Sequence, residues 1–204
     1  MTRYILVRHG QTEWNRVERF HGRADIPLND TGQEQARCIS RRLANNRIVA
    51  VYSSPLSRAI QTGKAIAEPH RLEVIPDAGL LDIDYGAWAG KTPEELALAD
   101  AKRHALWLTQ PDRVQIPKGE DLRMVRRRAV AVVDALAEKY PYETVVLVSH
   151  KIVCQVILCA ILGLSERAIW RIEQETAAFN VFEKRQDGFA IVTLNDTSHL
   201  NRSI

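Results

Sequence analysis

Four side chains stand where the chain leaves a buried strand, and their types suit the binding of a phosphate-like anion. Arg8 and His9 follow the apolar run Tyr4-Ile5-Leu6-Val7, and Gly10 allows a sharp turn directly after them. Arg58 falls in the first turn of a helix that follows a second apolar run, Ile48 to Ser53. His150 follows a third, Glu143 to Ser149. In open α/β sheets ligands collect at the carboxyl ends of parallel strands. Guanidinium groups donate paired, coplanar hydrogen bonds that match phosphate oxygens, and a helix N-terminus adds free N–H groups and a favourable dipole. For each residue alone, a solvated arginine or a core histidine is the favoured reading. Their joint occurrence at equivalent strand ends is what carries the reading.

The elements that must position them alternate. A strand at Tyr4–Val7 leads to a loop at 16–29, then to a helix opened by an expected capping box at Thr31-Gly32-Gln33-Glu34, with Ala36, Ile39 and Leu43 on its buried face. The second strand ends at Ser53. Ser54 and Pro55 then supply an N-cap and N1 for a helix burying Leu56, Ala59, Ile60, Gly63 and Ile66. A short strand follows at Leu72–Ile75. A mixed segment, Leu80–Gly90, is extended at first and turns at Gly86 and Gly90. Thr92-Pro93-Glu94-Glu95 opens a helix running to about Leu108, and a long amphipathic helix carries Leu122, Val125, Ala129, Val132, Val133 and Leu136. The Glu143–Ser149 strand, an apolar helix at Ile152–Leu162 and a terminal hairpin of Ala177–Glu183 with Phe189–Leu194 complete the order. The alternation predicts an α/β fold with a mostly parallel sheet.

At 46% hydrophobic, 204 residues can bury a substantial core as one domain, with a helical insertion or cap at roughly 91–120. A formal charge of +3, from 28 bases and 25 acids, points to neither nucleic acid nor a membrane surface. Cys38, Cys154 and Cys159 are odd in number and lack a Cys-x-x-Cys spacing, which fits a reduced, cytoplasmic setting. The start carries no signal-peptide pattern, and the most apolar stretch, Ile152–Leu164, is too short to span a bilayer. No His/Asp cluster has metal-ligand spacing. His150 and Cys154 share a helical face, where a core cysteine is the simpler reading.

Several motifs together resemble the histidine phosphatase superfamily, also called phosphoglycerate mutase-like proteins. They are Leu6-Val7-Arg8-His9-Gly10-Gln11-Thr12-Glu13-Trp14-Asn15, Pro27-Leu28, Thr31-Gly32, Ser53-Ser54-Pro55-Leu56-Ser57-Arg58-Ala59, Leu80–Gly90 and Val148-Ser149-His150. The resemblance spans nearly the whole chain in order. It implies a three-layer α/β/α sandwich and phosphoryl transfer through a phosphohistidine, without metal or cofactor. His9 would be the nucleophile, with Arg8, Arg58, His150 and Asn15 on the phosphoryl oxygens. His21, Gly22 and Tyr85 would lie near the rest of the substrate. The partner implied is a small phosphomonoester, and homodimers are common in the family.

The acid departs from the family pattern Leu-x-Glu-x-x-x-Gly-x-Trp-x-Gly. Here the segment reads Leu80-Leu81-Asp82-Ile83-Asp84-Tyr85-Gly86-Ala87-Trp88-Ala89-Gly90, which places Asp82 where Glu is usual. Aspartate is one methylene shorter, with an ordinary pKa of ~3.9 against ~4.3 for Glu. Asp84, two residues on, would point to the same side of an extended segment and is the alternative acid. Gly86-x-Trp88-x-Gly90 looks like the phosphatase branch. A cofactor-dependent phosphoglycerate mutase and a phosphate-binding module with weak turnover are the alternatives. The tail Leu194–Leu200 and the stretches around Trp107, Pro111 and Gly119-Glu120 are similar to metal-independent phosphoserine phosphatases, but those carry His where Tyr85 stands here. Phosphoserine, α-ribazole phosphate and sugar phosphates are therefore all candidates. Arg113, Lys118, Arg123 and the run Arg126-Arg127-Arg128 read mostly as a solvated helix face.

Overall fold

A computed structural model describes residues 1–200. Its six strands are β1 (Thr2–Arg8), β2 (Ile48–Ser53), β3 (Val74–Pro76), β4 (Thr144–Ser149), β5 (Phe179–Arg185) and β6 (Gly188–Asp196). They form one sheet in the order β3-β2-β4-β1-β5-β6. The first four of that order pair in parallel, and β5 and β6 join antiparallel as a hairpin. The helices are α1 (Glu13–Arg16), α2 (Asp30–Leu43), α3 (Ser57–Ala67), α4 (Pro93–Ala99), α5 (Ala101–Thr109), α6 (Leu122–Lys139) and α7 (Lys151–Ile161).

Strand alternation builds the two cores. Tyr4 and Leu6 of β1 enter one apolar cluster with the inner faces of α6 and α7, whereas Ile5 and Val7 enter the other with Ile39 of α2 and Ile66 of α3. The predicted stripe of α6 is buried throughout, from Leu122 to Leu136. The result is the expected three-layer α/β/α sandwich.

Register sets up the site. Arg8 pairs with Ser149, and Val148 lies between Val7 on one side and Ser53 on the other. The ladder runs one residue further, with His9 N–H donating to Ser149 O (2.9 Å) and Ser54 N–H to Val148 O (2.9 Å). Three parallel strands therefore end level, and Arg8-His9, Ser53-Ser54 and Ser149-His150 leave the sheet together.

Local boundaries differ from the sequence reading at several points; among the strands, β3 runs Val74–Pro76 rather than Leu72–Ile75, and β5 starts at Phe179 rather than Ala177. Helix α2 begins at Asp30 rather than at Thr31, because the Asn29 side chain accepts from Gly32 N–H and takes the cap. A capping box does form at Thr12 with Asn15, opening the short α1 in the polar run just before the 16–29 loop. Helix α3 starts at Ser57, not at Pro55, and Ile60 is only half-buried. The helix expected from Thr92 to Leu108 does open on a Thr92–Glu95 capping box, but it breaks at Asp100, whose backbone (φ −145°, ψ 51°) leaves the helical region.

The turn after β1 is pressed against the start of α2 by two glycines. A Cβ on Gly10 would lie 2.5 Å from the Gly32 carbonyl oxygen, and one on Gly32 would overlap the backbone of Gln11. The turn is then pinned by Gly10 N–H to Thr62 Oγ1 (3.1 Å) and Gln11 N–H to Gln35 Oε1 (2.8 Å). Both obstructing groups are main chain and cannot rotate aside. Gly32→Ala is expected to lower stability by about 1–3 kcal/mol in urea unfolding. An unchanged midpoint would show that turn and helix can part freely.

Candidate active site

Where the three strands end level, a cleft of about 530 Å³ opens, with Arg8, His9, Asn15, His21, Asp82 and Tyr85 on its walls. Arg58, His150 and Gly22 are not on its surface; they form the layer behind.

The His9 ring is nearly fully buried. Its Nδ1 lies 2.7 Å from the Gly10 carbonyl oxygen, which can only accept, so Nδ1 carries the proton and Nε2 holds the free lone pair. Burial holds the His9 pKa well below the ordinary imidazole value, and Arg58 and Arg8 push the same way, against the Gly10 hydrogen bond. Arg8 donates from Nη1 to Gln174 O (2.5 Å), and Gln174 is itself held by a pair of hydrogen bonds with Asn180. The Arg8 Nε is buried without a partner among the described residues.

Arg58 is completely buried. It donates from Nε to His150 Nδ1 (3.2 Å), from Nη1 to Ala24 O (2.8 Å), and from Nη2 to Gly22 O (2.9 Å) and Asp82 Oδ2 (3.2 Å). Because His150 Nδ1 accepts, that imidazole is neutral, and its Nε2–H points at Ser54 Oγ, 2.8 Å away. Burial, followed by Arg58 and His9, keeps the His150 pKa well below its ordinary value. The His9 and His150 ring centroids are 5.0 Å apart. Gly22, expected beside the substrate, instead turns its carbonyl to Arg58. It supports the cation and does not face the cleft.

His21 stands on the cleft wall with buried Thr12 behind it. Thr12 Oγ1 lies 2.6 Å from His21 Nε2, and burial, with Arg58 and Arg8, lowers the His21 pKa to about 3. Asn15 Oδ1 accepts from the Thr12 N–H and hydroxyl, both at 3.0 Å, which leaves its amide nitrogen as the donor for a ligand.

The two candidate acids separate. Asp82 is buried on the cleft wall, with Oδ1 accepting from Ile83 N–H (2.9 Å) and Oδ2 lying 3.7 Å from His150 Nδ1. Burial raises its pKa above the ordinary carboxylate value, against Arg58, the Ile83 N–H and Arg128. Asp84 faces away, its Oδ1 capping Gly86 N–H (2.9 Å) and its Oδ2 3.8 Å from Arg23.

The rest of the wall is aromatic. Phe20 meets Tyr85 edge-on (4.8 Å), Tyr85 meets Trp107 (6.1 Å), and Trp107 meets Trp170 (5.4 Å). Burial drives the Tyr85 phenol pKa well up, so it stays neutral. Sequence reasoning singled out Tyr85 and noted Trp107. Phe20 and Trp170 sit in stretches with no motif, and only the packing reveals them. Cys154 is a core residue as read, its thiol pushed up to about 12 by burial. Arg128 is not on a solvated face: it points inward, at the segment that carries Asp82.

The sequence signature of the histidine phosphatase superfamily (branch 1) matches residues 4–197. The chain belongs to that superfamily. It is 33% identical over 200 residues to phosphoserine phosphatase 1 of Hydrogenobacter thermophilus, covering 98% of this chain and 95% of that one. It is 29% identical over 206 residues to a probable phosphoglycerate mutase GpmB of Yersinia pestis, covering 98% and 96%. Among solved structures, a mutant phosphoserine phosphatase from Entamoeba histolytica in complex with phosphoserine superposes with a TM-score of 0.88 at 27% identity, covering 98% and 100%. Among the described residues of this histidine phosphatase, no helix is long and apolar enough to cross a membrane.

Arg58 links four acceptors from three separate stretches of chain. A lysine carries the charge but cannot satisfy them with one ammonium. Arg58→Lys is expected to lower stability by about 2–3 kcal/mol in urea unfolding, because buried acceptors lose their donors. A change below a few tenths would show that these bonds do not hold the site together.

Proposed function

We propose that this histidine phosphatase hydrolyses small phosphomonoesters through a phosphohistidine at His9, with Asp82 as acid and then base, and without a metal. The observation that carries the reading is the His9 ring itself: neutral, with Nδ1 tied to Gly10 O and Nε2 free beside two buried arginines. In the first step Nε2 attacks phosphorus in line with the ester oxygen. The P–O bond breaks as the P–N bond forms, and Asp82 gives its proton to the departing oxygen. In the second, water attacks the phosphohistidine, Asp82 takes a proton from that water, and the P–N bond breaks to restore neutral His9. Arg8 and Asn15 would bind phosphoryl oxygens, with the Arg58 charge acting from behind as charge develops and His150 reaching the phosphoryl group only by releasing Ser54 Oγ.

The carboxyl's two states serve Arg58 as well. While ionised, Asp82 holds one Arg58 Nη2 proton. Once protonated it holds it less strongly, which frees guanidinium capacity for the phosphoryl group. The segment 91–120 serves as a cap, since α4 and α5 bring Pro93, His104 and Trp107 to the cleft. The aromatic wall suits a leaving group with flat or apolar surface. Phosphoserine, α-ribazole phosphate and sugar phosphates remain the substrates to try. The cysteines are all free thiols, two of them buried, which supports a reducing, cytoplasmic setting.

The test is a substrate panel assayed in excess chelator: p-nitrophenyl phosphate, phosphoserine, α-ribazole phosphate, sugar phosphates, and 3-phosphoglycerate with its bisphosphate. Release of inorganic phosphate is expected, and His9→Ala should reduce it by roughly 10³-fold or more while leaving the fold intact. Retained turnover in that variant sinks the phosphohistidine route. Isomer without free phosphate would make the protein a mutase, and activity lost to the chelator and restored by a divalent ion would refute the metal-free mechanism.

A pH profile checks the electrostatics. The working form of His9 is neutral, so a lowered pKa extends activity to lower pH. The working form of Asp82 in the first step is protonated, so a raised pKa extends activity to higher pH. The His9 limb of kcat/KM should therefore fall below the ordinary histidine value of ~6.5. A His9-dependent limb at or above that value would contradict the burial argument.

A further inference from the structure

The segment that carries Asp82 belongs to no strand. Between the short 3-10 turn at Ala78–Leu80 and the next at Gly86–Trp88, its main chain is held mostly by side chains. Arg128 of α6 supplies most of that hold. Its Nη1 donates to Gly79 O (2.9 Å) and Leu81 O (2.5 Å), and its Nη2 donates to Asp82 O (3.1 Å). The guanidinium is fixed in turn by Glu120, with Nε on Oε1 (3.0 Å) and Nη2 on Oε2 (2.9 Å). Glu120 grips the segment a second time. Its Oε2 accepts from Asp84 N–H (3.0 Å), and its own N–H donates to Asp84 O (2.9 Å). The remaining carbonyl, Leu80 O, takes the Ser149 hydroxyl (2.8 Å). The carbonyls of residues 79 to 82 thus all end on side chains, and three of the four end on one guanidinium.

All five Arg128 N–H groups are used in this way, and none reaches the cleft. The Glu120 carboxylate is largely buried and is also 3.5 Å from Arg23. An arginine with every donor on a main-chain segment or on its own orienting carboxylate is not a surface charge. Its planar fork fixes where that segment lies relative to α6.

We propose that Arg128, oriented by Glu120, is a positioning residue that sets the reach of Asp82 to the ester oxygen. This rests on the reading of Asp82 as the general acid. The residue acts only through the acid, so its removal has a signature that general loosening of the fold does not share. An aryl phosphate such as p-nitrophenyl phosphate expels a stable phenolate and gains little from a proton donor. An alkyl phosphate such as phosphoserine or glycerol phosphate must have its leaving oxygen protonated.

The experiment compares kcat/KM on p-nitrophenyl phosphate with that on whichever alkyl phosphate the wild type turns over faster. Asp82→Asn sets the benchmark. Arg128→Gln is expected to lose roughly 10- to 100-fold on the alkyl ester and less than about 3-fold on the aryl ester. Its inhibition by vanadate should stay within about 2-fold, because Arg8 and Arg58 are untouched. Arg128→Lys should recover part of the alkyl activity by restoring a cation at the Glu120 carboxylate. Glu120→Gln, which keeps the side-chain shape, should show the same preference with a smaller loss and serves if Arg128→Gln does not fold. Equal losses on both esters, or none on either, overturn the proposal. If Asp82→Asn itself shows no leaving-group dependence, the acid assignment falls and this inference falls with it. If Asp82→Asn shows that dependence and the Arg128 and Glu120 variants do not, this inference alone falls.

Discussion

A guanidinium with no exposed surface has to find its hydrogen-bond partners inside the protein, because the alternative is an uncompensated buried charge. Arg58 meets that requirement with groups remote from one another in sequence: Gly22 and Ala24 from the loop after β1, Asp82 from the loop after β3, and His150 from the end of β4. No backbone ladder joins these stretches to one another. The level ends of β1, β2 and β4 bring them near, and the cation fixes their spacing. A neutral residue of similar bulk could fill the volume, but it would leave two carbonyls, a carboxylate and an imidazole facing one another without donors. Much of the order in this part of the molecule thus follows from one charge and the cost of burying it.

Burial around that charge draws two ordinarily incompatible protonation states toward each other. With reference values of ~6.5 for histidine and ~3.9 for aspartate, a neutral imidazole and a protonated carboxyl are rarely found together. Burial moves the two in opposite directions, histidine down and aspartate up, since in each case it disfavours the charged form. Arg58 reinforces the first shift and opposes the second. Desolvation wins at Asp82, so the net effect still draws the two titrations toward each other. Low dielectric therefore does work here that a pair of solvent-exposed residues with the same sequence could not do.

How much of this was legible in the sequence follows from what each feature depends on. The alternation of strand and helix, both faces of β1 and the stripe of α6 were all readable, because periodicity is a local property of the chain. Arg8, His9, Arg58 and His150 could be brought together on paper because parallel strands share one carboxyl edge. Capping was less legible. Asn29 and Thr31 both have capping side chains, and only the structure shows that Asn29 takes the cap, by accepting from Gly32 N–H. The interruption at Asp100 had no breaker residue to announce it. Gly22 was expected beside the substrate on the family resemblance alone, yet its carbonyl turns to Arg58 instead. Arg128 was the least legible of all. Beside Arg126 and Arg127 it reads as one charge in a run, and its role depends on carbonyls some fifty residues away.

The substitution of aspartate for the more usual glutamate shifts where precision must reside. A glutamate places its carboxyl at the end of three rotatable bonds and can correct for a main chain set slightly too far back. Asp82 has one bond fewer, and its Oδ1 is bonded to the N–H of the next residue. Its carboxyl therefore follows the main chain closely, and an error in the loop becomes an error in the acid. Irregular backbone is ordinarily the least constrained part of a fold, but a segment whose successive carbonyls are each held by a buried or half-buried side chain is not irregular in that sense. A shorter acid loses less rotamer entropy on being fixed, provided the chain that carries it is already fixed. In this molecule the loop bears the constraint that a longer side chain would otherwise have to bear.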